Sequence, residues 1–324
     1  MAKTKIAWCQ FSFNHIMGCT KVAPGCAHCY AEAFTKRTGK AKWGPNGTRT
    51  KTSEPYWNQP LKWNRDAEGT SERPRVFCAS LADVFEEWKG PVLNHKGKQI
   101  RRCKNRGCTG CSGRDDQTGS ACMFCLGDTM PLTLDDVRGD LFKLIDTTPS
   151  LDWLLLTKRP ENISRMWPAD HWVHGPEYTH RANVWLGASV SEQESYDRNA
   201  SLLAKCSDLA PVLFLSAEPL LGEILPGLSH IKRANGSIER TDAICQIIIG
   251  VESSGQRVGS LGAFASEDEW ISEAAAIVQA CKESGVSCFV KQIPIGGKVS
   301  HNPAEWPKEL QVREFPTAHT CAAQ

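Results

Sequence analysis

VLFLSA, residues Val212–Ala217, runs straight into the polar step Glu218-Pro219. A short apolar run that stops at a charge reads as a strand buried on both faces, as in a parallel sheet covered by helices. The same pattern recurs in DWLLLT at residues 152–157 and in CQIIIG at 245–250. Working outward, further strands are expected at residues 6–11, 75–79, 183–190 and 287–291, with helical patterns between strands at 30–37, 132–146, 192–205 and 267–284. The last helix carries Trp270, Ile271, Ala274, Ile277, Val278 and Cys281 on one face and stops at Gly285, as a left-handed C-cap requires. Such strand–helix alternation predicts an α/β fold, a partial or complete (β/α) barrel of TIM type. A flat doubly wound sheet is the alternative, but no phosphate-binding glycine fingerprint follows the first strand.

Two segments break the rhythm. Residues 38–74 read as a loop carrying Trp43, Tyr56, Trp57 and Trp63 among Gly, Pro, Asn and Lys. Residues 89–131 read as a Cys-rich, zinc-ribbon-like insertion between the second strand and its helix, which leaves 1–88 and 132–324 to form the barrel.

The chain has 324 residues, is 41% hydrophobic and carries a formal charge of +2, so no global field points to nucleic acid and any such signal must be local. No apolar stretch approaches the ~20 residues of a membrane span, and the first residues lack the pattern of a signal peptide. A cytoplasmic protein with no membrane partner is expected. In that compartment 15 cysteines argue for metal binding over disulfides. Cys206, Cys245, Cys281 and Cys288 sit in apolar contexts and are expected to be small buried hydrophobes.

Cys19, Cys26 and Cys29, in GCTKVAPGCAHCYAE, follow the first strand. Three thiols suit a metal left one protein ligand short, either an iron–sulfur cluster with an open iron or zinc completed by His15 or His28. In a barrel, chemistry gathers after the C-terminal ends of the strands. The successive exits present Ser80 and Asp83; Thr157, Lys158 and Arg159; Ser189, Ser191 and Glu192; Ser216, Glu218 and Pro219; Glu252, Ser253 and Ser254; Lys291 and Gln292. A ring of polar groups at successive exits fits a large polar ligand.

Taken together, IAWCQFSFNHIMGCTKVAPGCAHCYAE, VFCASLADVFEEW, DWLLLTKRPENI, NVWLGASVSEQESYDRNASLL, VLFLSAEPLLGEI, IIIGVESSG and GVSCFVKQ resemble the radical S-adenosylmethionine (radical SAM) superfamily, and more closely its phage-associated three-Cys-motif members. The spacing here is C-x6-C-x2-C, where most members of the superfamily use C-x3-C-x2-C. The resemblance implies a [4Fe-4S] cluster on Cys19, Cys26 and Cys29 that binds S-adenosylmethionine and receives electrons from a flavodoxin- or ferredoxin-type reductant. By position it implies Ser80 and Asp83 at the methionine ammonium, Ser189, Ser191 or Glu218 at the ribose, and Glu252 near the adenine or substrate. Lys158, Arg159, Lys291 and Gln292 would face the substrate, Lys158 and Arg159 meeting a carboxylate or phosphate.

The second cysteine group, Cys108-x2-Cys111 and Cys122-x2-Cys125 with Cys103 upstream, has the pattern of a structural zinc ribbon; an auxiliary iron–sulfur cluster that uses Cys103 is the alternative. Around it KGKQIRRCKNRGC places Lys96, Lys98, Arg101, Arg102, Lys104 and Arg106, and Arg101 and Arg102 are expected to grip phosphates. The aromatic segment 38–74 is expected to offer stacking surfaces for bases. The resulting expectation is a radical enzyme that modifies, isomerises or repairs a nucleic-acid base, DNA first and in particular a hypermodified thymine of phage DNA. The alternatives are a non-catalytic zinc-stabilised nucleic-acid-binding protein, or a radical enzyme acting on a small metabolite or peptide.

Overall fold

The computed structural model describes residues 4–105, 121–122, 125–168, 180–228, 231–232, 238–239, 243–254 and 257–316. Seven parallel strands lie side by side in chain order: Phe11–Ser12, Arg75–Cys78, Asp152–Thr157, Val184–Ser189, Val212–Ala217, Ile244–Gly250 and Ser287–Ile295. In register, Phe11 lies opposite Val76, Val76 opposite Trp153, Trp153 opposite Val184, and Trp185 opposite Val212. Leu215 then lies opposite Ile247, and Ile247 opposite Cys288. A doubly wound sheet reverses its strand order partway along, whereas an unbroken order with right-handed crossovers puts every connection on one face and curls the sheet. The sheet is accordingly a curled half-barrel. Antiparallel strands Lys298–Ser300, Arg257–Val258 and Ser253–Ser254 extend one end of it, and Phe11–Ser12 forms the other. The barrel is therefore partial.

The period-two alternation of the strands sorts their residues onto two faces. Val76, Leu155, Leu186, Leu213, Leu215, Ile247 and Val290 join the large core beneath the helices, with Leu141, Ile145, Leu203, Trp270 and Ile277. Phe77, Leu154, Trp185, Phe214, Ile248 and Phe289 form a second core on the inner face, together with Trp8 and Cys9. Gly187 is required in that inner layer: a Cβ there would stand 2.3 Å from Phe214 Cζ.

The helices form where the sequence places them, at Tyr30–Thr38, Leu134–Asp146, Gln193–Ala204 and Glu267–Ser284. Thr133 caps the second of these in a reciprocal box with Asp136. Gly285 closes the last at φ 68°.

Two expectations are corrected. The first strand is Phe11–Ser12, not residues 6–11, because Ile6, Trp8 and Cys9 turn inward with the inner-face core. Residues 38–74 are not a loop, since they hold the helices Glu54–Trp57 and Gln59–Ala67. Their aromatic rings are spent on packing. Trp63 stacks on Phe11 with centroids 4.4 Å apart, Tyr56 stacks on Phe13, and Trp57 meets Phe13 edge-on. Residues 89–100 pack with the body of the protein: Val92 and Leu93 pair with Arg49 and Thr50, and Ile100 is buried with Ile16, Leu132 and Val137. A separate hairpin starts only at Arg101, where Arg101–Cys103 pairs with Thr129–Pro131.

Candidate metal and cofactor site

Cys19 lies in the chain leaving the Ile16–Met17 strand, Cys26 ends the short helix Pro24–Cys26, and Cys29 is the N-cap of Tyr30–Thr38. All three are half-buried. The loop is held from below by four buried charges. Glu86 takes a two-pronged ion pair from Arg49, at 2.5 and 2.6 Å, and accepts the Thr20 backbone N–H at 2.9 Å. Arg159 donates to Asp83 at 2.9 Å, to the Thr20 carbonyl at 2.6 Å and to Cys19 Sγ at 3.5 Å. Two arginines against two carboxylates make a neutral set, which makes its burial tolerable. Burial, reinforced by Asp83 and Glu86, pushes the metal-free Cys19 thiol up to about 12, and Arg159 opposes that rise.

Above the apolar inner layer, the strand exits form a polar ring. Lys158 Nζ donates to Ser189 Oγ at 3.2 Å. Lys291 Nζ pairs with Glu218 at 2.5 Å, and Glu218 also accepts from Trp8 Nε1 at 3.2 Å. Ser80 Oγ exchanges hydrogen bonds with Asn14 and Ser12, and its carbonyl accepts from Tyr30. His28 Nδ1, on the cysteine loop, lies 3.1 Å from a Glu252 oxygen, so the loop reaches across to the sixth exit. Ser191 Oγ bonds its neighbour Glu192.

Several predicted residues have partners within the fold. Asp83 is occupied by Thr157, the Lys158 backbone N–H and Arg159, so it serves the anchor of the loop. Arg159 is occupied with the same anchor. Gln292 is buried and donates to the Val251 carbonyl within the sheet at 2.7 Å. His15 is fully buried beside Cys78 Sγ, and burial lowers its pKa to about 3. Sequence reasoning missed Glu86, Arg49 and Trp8. An arginine and a glutamate 37 positions apart, Arg49 and Glu86, carry no spacing signal.

In the hairpin, the sulfurs of Cys103, Cys122 and Cys125 lie within 4.8 Å of one another, a set that can bind a metal such as zinc or iron. Cys108 and Cys111 lie outside the described residues. Arg101 and Arg102, expected to grip phosphate, are engaged within the fold. Arg101 donates to the side chain and carbonyl of Thr129, and Arg102 pairs with Asp136 at 3.0 Å. Among the described residues no helix is long and apolar enough to cross a membrane.

No curated protein and no solved structure matches this chain. A family model described as protein of unknown function (DUF5131) matches residues 3–100 and 121–316. The match includes the Cys19 loop, every strand exit and Cys122 and Cys125, and it passes over 101–120, where Cys103, Cys108 and Cys111 lie. With most of its length covered, the chain belongs to the DUF5131 family.

Proposed function

We propose that the chain is a radical S-adenosylmethionine enzyme with its cluster on Cys19, Cys26 and Cys29. The observation that carries this reading is the cysteine loop itself, set beside a polar ring at the C-terminal ends of parallel strands and fixed by a hydrogen bond to one of its sulfurs. The donor set fits an iron–sulfur group. A single tetrahedral ion draws thiolate sulfurs to about 3.8 Å from one another, given metal–sulfur bonds of about 2.3 Å. Among the described residues the only set of three such ligand atoms within 4.8 Å of one another is the one in the hairpin. A cluster with one open iron, when bound, supplies reductive cleavage of the S-adenosylmethionine sulfonium and hence a 5′-deoxyadenosyl radical able to take hydrogen from a substrate.

The protein's own groups do the rest. Arg159 holds Cys19 and places positive charge beside its sulfur. Tyr30, directly after Cys29, ties the loop to the second exit through the Ser80 carbonyl. Glu218, fixed by Lys291 and Trp8, and Ser189, fixed by Lys158, offer oxygens for ribose hydroxyls. The ammonium groups of Lys158 and Lys291 on the inner face would meet an anionic group of the substrate. The aromatic inner layer below closes the floor against water. Nucleic acid, DNA first, is the substrate class to assay before small metabolites and peptides.

The test is anaerobic reconstitution followed by assay of 5′-deoxyadenosine. About four irons and four sulfides per chain, with product formed from S-adenosylmethionine under a strong reductant, are expected, and replacing Cys19, Cys26 or Cys29 by Ala abolishes both. Colourless protein that binds no iron in this loop defeats the reading.

A further inference from the structure

We infer that Cys103, Cys122 and Cys125 bind one zinc ion, and that this ion ties Cys122 and Cys125 to the strand pair of Arg101–Cys103 with Thr129–Pro131. The sulfurs of Cys103 and Cys125 are 3.5 Å apart, and all three lie within 4.8 Å of one another. That convergence matches the spacing of about 3.8 Å that thiolates adopt around a single zinc, and is too tight for ligands on separate irons of a cubane. Zinc, not an auxiliary iron–sulfur cluster, is therefore assigned. Cys103 is a primary ligand, although it belongs to neither CxxC pair.

The backbone supports the same geometry. Cys122 donates its N–H to the Gly127 carbonyl at 2.7 Å, and Leu126 donates to the Cys122 carbonyl at 2.9 Å. Leu126 takes φ 53°, which turns the chain after Cys125 back toward Cys122, where the Gly127 carbonyl accepts the Cys122 N–H. The bridge between Ala121 and Asp128 and the strand pair of Arg101–Cys103 with Thr129–Pro131 continue the hairpin from there.

Among the described residues, Cys103 and Cys122 form a buried cluster of their own at this hairpin, so both sulfurs sit out of bulk water, where a bound metal ion couples ligation to folding. Because the family model passes over 101–120, this ion joins a cysteine lying outside the family match to two lying inside it. Arg102 then carries the constraint to Asp136 at the cap of the Leu134–Asp146 helix.

The experiment uses the full chain purified anaerobically, with zinc and iron counted together. About one zinc per chain is expected, with a sulfur shell at about 2.3 Å in X-ray absorption. Cys103→Ser loses stoichiometric zinc, whereas Cys19→Ala keeps it while losing iron, so this assignment and the cluster reading fail separately. Should Cys103→Ser not fold, cobalt substitution of the unmodified chain still decides the matter, because thiolate-to-cobalt charge-transfer absorption is expected. Absence of that absorption, iron in place of zinc, or full zinc retention by a folded Cys103→Ser would each overturn it.

Discussion

Arg159 donates one hydrogen bond to Cys19 Sγ at 3.5 Å and a second, from its other terminal nitrogen, to the Thr20 carbonyl at 2.6 Å. One planar guanidinium thus grips both a candidate metal ligand and the backbone beside it. Lysine cannot do this, since its single ammonium lacks the fork.

Donation to a ligating sulfur and nearby positive charge stabilise the reduced, more negative form of a cluster. Arg159→Lys is therefore expected to lower the midpoint potential of the reconstituted cluster and Arg159→Gln to lower it further, as read by redox titration with electron paramagnetic resonance. An unchanged potential in both folded variants would remove this role.

Arg49 is fully buried against Glu86, and its guanidinium stacks 3.9 Å from the Trp88 ring centroid. Arg49→Met strands a buried carboxylate and is expected to destabilise the chain by about 3–5 kcal/mol. Adding Glu86→Gln should restore part of that loss in chemical denaturation. A simple sum of the two single effects would show that the pair is not coupled.

Gly187 faces Phe214 on the inner layer with no room for a methyl group. Gly187→Ala is expected to cost about 1–3 kcal/mol through overpacking. Thermal denaturation should show recovery when Phe214→Leu is added, and no recovery would place the strain elsewhere.

His15 is buried and neutral, with its pKa lowered to about 3 from 6.5. The unfolded chain binds the extra proton between those values, so the stability contribution is complete above pH 6.5 and is lost as pH falls toward 3. The slope from this one group is about 1.4 kcal/mol per pH unit at most. Urea titrations between pH 4.5 and 7 should show a shallower slope for His15→Phe than for the unmodified chain.

The strands were legible because a strand buried on both faces has to be apolar throughout, so LLL and III runs mark it without ambiguity. The run around Trp8 misled because it is equally apolar, yet its residues fill the inner floor instead of pairing. The helix Gln59–Ala67 was hidden by its Pro, Asn and Lys, although Pro60, Trp63, Asn64 and Ala67 fall on its buried face at helical spacing. The cysteine groups were legible as groups, but their membership was not. Cys103 joins Cys125 across a hairpin, and sequence distance says nothing about what a turn brings together. Likewise the pairing of Asp83 with Arg159, and of Arg159 with the Cys19 loop, links strand exits that no sequence spacing connects.

The anchors of the Cys19 loop come from distant parts of the chain, Glu86 after the second parallel strand and Arg159 after the third. The loop cannot take its shape until those strands have paired, because neither anchor exists in position before then. Order of assembly follows from this: the strands pair first, and the loop takes its final shape afterwards. On the proposed cluster reading, supply of iron should therefore limit how much of the protein carries the cluster without limiting how much of it is folded.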